Sequence, residues 1–173
     1  MRDSTWLEGV MDQAGVDFAL VAWREEGVWS LVPAPGSAAD SIEELEEFAR
    51  LRQGEAGSLA FVSVAEEFFV VIRIQGLRTR LFLSDVNAVF DWAIADEVAE
   101  RLDLDIDEED DVPDGEPAGD LTLLADFGLS AADLEVLCAD LELFPDEQIA
   151  AIAGKVGFSE LLAPMLDDLI PAN

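Results

Sequence analysis

Phe68-Phe69-Val70-Val71-Ile72-Arg73-Ile74-Gln75-Gly76-Leu77-Arg78-Thr79-Arg80-Leu81-Phe82-Leu83-Ser84 is the stretch that decides the fold class. Two runs rich in β-branched and aromatic residues flank Gly76-Leu77, and a two-residue connection opening on glycine is what a type II′ hairpin turn requires. That turn sets Arg73 opposite Arg80, Val71 opposite Phe82 and Phe69 opposite Ser84. Since side chains alternate along a strand, Phe69, Val71 and Arg73 share one face with Arg78, Arg80 and Phe82.

Working outward, Leu59 to Val64 reads as a neighbouring strand, and Val16 to Arg24 with Val28 to Val32 as a second hairpin. A three-residue loop, Glu25-Glu26-Gly27, places Trp23 and Trp29 on one face with Val21 and Leu31. Between the hairpins, Ser41 with Glu44 three residues on is a capping-box signature for a helix whose stripe is Ile42, Leu45, Phe48 and Ala49. After the strands, Ser84-Asp85 caps a helical pattern from Val86 to Leu102 with a break near Trp92. The expected fold class is α+β, an antiparallel sheet of about five strands with helices, followed by an acidic linker and a small C-terminal helical bundle.

The division into units follows charge. Residues 1–102, the α+β domain, carry 19 acids and 8 bases; residues 103–118 carry 9 acids and no base; residues 119–173, the helical domain, carry 11 acids and 1 base. Asp103 to Ala118, with like charges, two prolines and a glycine, is expected to be a flexible tether. Beyond it the pattern is helical at Leu121 to Phe127, Ala131 to Leu141, Pro145 to Val156 and Glu160 to Leu169, with Ser130, Pro145, Gly157 and Ser159 as punctuation.

Composition excludes more chemistry than it admits. The 173 residues hold 39 acids, 9 bases and no histidine, for a formal charge of −30. Direct nucleic-acid binding is not expected, because such affinity rests on cations meeting phosphates. Without histidine there is no Ser-His or Cys-His nucleophile pair, and no metal site or cofactor is expected. Gly154-Lys155-Val156 lacks the glycine spacing and Ser/Thr of a P-loop, and Asp103 to Asp114 has Glu108 where a calcium loop needs glycine. Cys138, spaced helically with Leu134, Leu137 and Leu141, reads as core. Met1 to Gly15 has no apolar signal region and no run is long enough to span a bilayer, so a cytoplasmic location and no membrane partner are expected.

The one inversion of charge is Arg73, Arg78 and Arg80. Beside Phe69, Val71 and Phe82 they form a candidate docking patch, with the alternative that neighbouring acids neutralise them or that their stems cover apolar surface.

Several short pieces carry a resemblance when taken in order: Val16-Asp17-Phe18-Ala19, Phe68-Phe69-Val70-Val71, Leu83-Ser84-Asp85-Val86, Asp91-Trp92, Pro117-Ala118-Gly119-Asp120-Leu121, Phe127-Gly128-Leu129-Ser130, and Pro145-Asp146-Glu147 followed by Gly157-Phe158. With the acidic stretch between them, the chain resembles the actinobacterial tRNA adenosine deaminase-associated proteins over residues 16–160. It departs from them in Ala93 after Asp91-Trp92 and in the extension Met1 to Gly15. The resemblance carries no established activity; it implies association with a deaminase. The deaminase's own zinc framework of His and Cys ligands is beyond a chain with no histidine and one cysteine. The expected function is therefore a non-enzymatic acidic binding protein for a tRNA adenosine deaminase or related basic partner, regulating or chaperoning it. The alternatives are an adaptor or chaperone-like module using the sheet face for another client, and a carboxylate-dependent enzyme.

Overall fold

The structure, a computed structural model, describes residues 16–35, 41–107, 109 and 112–169. The expectations placed on Met1 to Gly15 lie outside the described residues.

Six strands form one antiparallel sheet: β1 (Val16–Glu25), β2 (Val28–Pro33), β3 (Ser58–Val64), β4 (Phe68–Gln75), β5 (Arg78–Leu83) and β6 (Ala118–Gly119), in the order β2-β1-β3-β4-β5-β6. The β4–β5 hairpin has the expected register, with Val71 opposite Phe82 and Arg73 opposite Arg80, and Gly76 takes a positive φ of 64°. Ser84 closes it, its N–H donating to the Phe69 carbonyl and its hydroxyl accepting from the Phe69 N–H.

The β1–β2 hairpin corrects the expectation. Glu25 joins the strand opposite Val28, leaving a two-residue turn in which Glu26 and Gly27 both have positive φ. That pair of angles belongs to a type I′ turn, whose twist suits a tight hairpin. Shortening the loop by one residue shifts the pairing, so Trp23 lies opposite Ser30 and Arg24 opposite Trp29. The two tryptophans consequently face opposite sides of the sheet: Trp23 packs with Val21 and Val32, Trp29 with Leu31.

Each sheet face carries its own helical layer. On one lie α1 (Ile42–Arg50) and α2 (Ala93–Arg101), which bury Ile42, Leu45, Ile94 and Val98 against Val21, Val62, Val70 and Ile72. Ser41 caps α1 as expected, and the Glu97 carboxylate of α2 accepts from the Ile42 and Glu43 N–H groups at 2.9 and 3.2 Å. The anion thus satisfies donors that the first turn leaves unpaired. The predicted break near Trp92 is present, separating a short 3₁₀ turn at Val86–Phe90 from α2.

On the opposite face lie α3 (Ala131–Ala139), α4 (Pro145–Val156) and α5 (Ser159–Leu169). Leu134, Ile149, Ile152, Phe158 and Leu162 share one core with Phe18, Leu20, Leu59, Phe61, Phe69, Val71 and Phe82. With helices on both faces, β3 is buried along its whole length. The segment expected to be a helix at Leu121 to Phe127 is instead a series of turns with one 3₁₀ turn at Ala125–Phe127. Asp120 accepts from the Thr122 N–H at 2.9 Å, and the Leu123 carbonyl is taken by Arg73, so the local bonds of a regular helix are diverted.

The stretch expected to be a mobile tether is tied down along 112–119. The Val112 and Pro113 carbonyls accept from the Asn87 amide, Gly115 N–H donates to Asp85, and the Glu116 carbonyl accepts from the Val86 N–H. Ala118 and Gly119 then pair with Leu83 and Phe82 as the sixth strand. Gly119 has φ +102°, and a Cβ there would lie 2.3 Å from the Leu81 carbonyl oxygen, so only glycine fits.

Candidate functional site

The residues singled out as a docking patch lie together, but beneath the helical layer. Phe69, Val71 and Phe82 are fully buried in the core shared with α3, α4 and α5, with the Phe69 and Phe82 rings 5.9 Å apart. The exposed patch expected at these positions is therefore not present; the apolar half of that face is covered by the chain's own C-terminal helices. The reason lies in the sequence that follows the acidic stretch, which supplies Leu123, Leu124, Ile149, Ile152 and Phe158 to the same face.

Neutralisation by neighbouring acids, the alternative reading of the arginines, holds for two of the three. Arg73 is 1% exposed. Its guanidinium donates to the Leu123 carbonyl at 2.7 Å, to the Ala56 carbonyl at 3.2 Å and to both carboxylate oxygens of Asp126, while lying 4.5 Å over the Phe127 ring. Arg80 pairs with Asp120 at 3.2 Å and donates to Gln75 at 3.1 Å. Only Arg78, at the hairpin tip, is exposed. A charge removed from water is costly unless paired, and the two terminal nitrogens of Arg73 reach a carboxylate and two carbonyls at once, while its buried Nε has no partner among the described residues. The pair works as a clasp between β4–β5 and the 120–127 segment.

Spacing and periodicity miss the other half of this clasp, Asp120 and Asp126. Asp120 falls within Pro117-Ala118-Gly119-Asp120-Leu121, a piece that carries the resemblance, but nothing local singles out Asp126. The same is true of Arg24, whose guanidinium sits 5.0 Å over Phe127 and 5.6 Å over Trp29 and pairs with Glu55 at 3.8 Å.

The clasp has an electrostatic signature. Hydrogen bonding and charge from Arg73 hold the Asp126 carboxyl below the ordinary aspartate range against the opposing effect of partial burial. For Asp120, burial pushes upward, but the bonds from Thr122 and Arg80 outweigh it and the net direction is also down. A carboxyl whose folded pKa is depressed contributes stability that is fully present above its unfolded value, near 3.9, and lost as pH falls through the folded value. Asp126→Asn should therefore be less stable than the native chain at pH 6, the gap narrowing below about pH 4. Urea midpoints for the two chains between pH 6 and pH 2.5 check it; a pH-independent gap would show that the carboxylate charge contributes nothing.

On the opposite face Glu46 anchors a second network, accepting from Arg101 at 2.9 Å and Arg50 at 3.1 Å and from the Thr79 hydroxyl. Burial raises its pKa, yet those donors outweigh burial and hold the carboxyl below its ordinary value. Arg24, Arg50, Arg73, Arg80 and Arg101 are thus ion-paired within the fold, whereas Arg52, Arg78 and Lys155 have no carboxylate partner among the described residues.

Burial pushes the Cys138 thiol up to about 12, with the Asp85 and Glu135 charges adding to it, which fits a core position and not a nucleophile. Among the described residues no three His, Cys, Asp or Glu side chains gather closely enough to hold a metal ion, and no helix is long and apolar enough to cross a membrane. Concave surface occurs beside Trp92, whose indole donates to Glu67 at 2.8 Å, and on the outer side of the helical layer, between α3 and α4 and between α4 and α5.

Comparison with known proteins adds the following. The family model described as "Rv3753c-like tRNA adenosine deaminase-associated protein" matches residues 17–159. Protein Rv3753c of Mycobacterium tuberculosis (strain ATCC 25618 / H37Rv) is 38% identical over 154 residues, which cover 88% of each chain. No solved structure matches.

Proposed function

This chain belongs to the Rv3753c-like tRNA adenosine deaminase-associated protein family, and from that premise we propose that it is a non-enzymatic acidic protein that binds a basic protein partner, with a tRNA adenosine deaminase as the first partner to test. The observation that carries this reading is the disposal of its cations. Five arginines are ion-paired inside the fold, so a chain with formal charge −30 has few positive groups left to temper its acidic surface. Such a surface repels RNA and attracts a protein that presents cations, as an enzyme acting on tRNA must. Occupying that cationic surface is how the chain would regulate or chaperone its partner.

An adaptor that used the apolar sheet face would need Phe69, Val71 and Phe82 accessible, and they are buried. Recognition that begins with charge does not need that face. The test mixes purified chain and purified deaminase and follows co-elution on a sizing column at about 0.02 M and about 0.5 M salt. Co-elution at low salt that is lost at high salt is the expected result, and the chain alone converts no adenosine in tRNA to inosine. Separate elution at low salt would reject the deaminase as partner.

A further inference from the structure

The helices α3, α4 and α5 turn Leu134, Ile149, Ile152 and Leu162 toward the sheet, and their outward side is also apolar in a localised way. Between α4 and α5 runs a groove of about 350 Å³. Half-buried Leu166 is its apolar floor, laid over buried Leu162; exposed Ala150 and Ala163 form its walls, and Asp146 and Asp167 complete the lining. Among the described residues no cation lines it; Lys155, the one base of residues 119–173, lies on the other side of α4, in the groove shared with α3.

We propose that the α4–α5 groove receives a cationic amphipathic helix of the protein partner, a large apolar side chain seated on Leu166 between Ala150 and Ala163 while flanking Lys or Arg side chains meet Asp146 and Asp167. The proposal rests on reading the chain as a binder of basic proteins and says where that binding occurs. A trough between two helices fits a third helix, which presents anchors at i and i+4 with charges one turn away. The alanine walls let the incoming backbone approach closely, and the apolar floor gains from being removed from water. The lining selects the sign: the surrounding segment has 11 acids against 1 base, so an anionic lipid surface, an acidic peptide or a second copy of this chain would bring like charge to like.

The probe is a Leu/Lys peptide of about 18 residues, five helical turns, with all leucines on one face, compared with a scramble of the same composition. Fluorescence anisotropy near 0.15 M salt reads both affinities, so net attraction to an acidic protein cancels in the ratio. The amphipathic peptide should bind about tenfold more tightly than the scramble. Ala150→Lys and Ala163→Lys, both at exposed helical positions and checked for native circular dichroism, should remove that preference. Equal affinity for the two peptides, or the preference surviving in both folded variants, would overturn the proposal. So would a dimer of the chain that Ala150→Lys dissolves, which would assign the groove to a second copy. Purified deaminase in the same assay separates the two readings: its failure to bind a chain that still prefers the amphipathic peptide counts against the deaminase as partner and leaves the groove assigned.

Discussion

Phe158→Ala should cost about 4 kcal/mol, enough to lower the melting temperature of a chain this size by roughly 8–16 °C. Phe158 is 1% exposed and follows Gly157, whose φ of +119° ends α4. Its N–H donates to the Ala153 carbonyl at 3.0 Å, closing the helix in a Schellman arrangement. The ring then enters the sheet side, 5.7 Å from Phe61 of β3 and 5.2 Å from Trp29 of β2. Truncating it removes the contact between the helical layer and two strands and leaves a cavity. Urea unfolding followed by both tryptophan fluorescence and far-ultraviolet circular dichroism measures the loss. A single coincident transition at lower urea is expected; a loss under about 1 kcal/mol would mean that the helices do not depend on the sheet.

Arg73→Ala is the second large effect, at about 3 kcal/mol. The Asp126 carboxylate left behind is 56% exposed on its side chain and rehydrates, so the cost does not come from stranding an anion. It comes from the Leu123 and Ala56 carbonyls, which lose their donor inside the fold, and from the volume vacated beside Phe127. Arg78→Ala, at the exposed end of the same hairpin, should change stability by less than about 0.5 kcal/mol. Equal effects at the two positions would contradict the clasp.

These two residues also mark what the sequence made legible. The β4–β5 register followed from Gly76-Leu77 alone, because a two-residue turn leaves one way to pair the strands, and it placed Arg73 correctly opposite Arg80. In the β1–β2 connection Glu25 could belong to loop or strand, and that single residue decided which face Trp29 occupies. The helical punctuation at Ser130, Pro145 and Gly157 was readable from caps. What those helices cover was not, since a helix stripe names an apolar side without naming its mate.

The candidate site failed for the same reason. Phe69, Val71 and Phe82 are apolar enough for an interface or for a core, and only the docking of α3, α4 and α5 distinguishes the two. Local charge density argued that residues 103–118 form a flexible tether. Asn87, Asp85 and the edge of β5, all distant in sequence, fasten residues 112–119, and such long-range partners leave no mark on composition. Family resemblance, by contrast, was carried by short strand, turn and cap pieces whose order and spacing were all in the sequence.

The central claim, that an acidic surface steers this chain onto a cationic partner, is tested most directly by the association rate constant with purified tRNA adenosine deaminase, measured by stopped-flow from about 0.01 M to 0.5 M salt. The Debye length falls from about 30 Å at 0.01 M to about 8 Å at 0.15 M, so steering by a charge of −30 predicts an association rate that drops at least tenfold over that range while dissociation changes little. An association rate indifferent to salt, or no complex at 0.01 M, would contradict it.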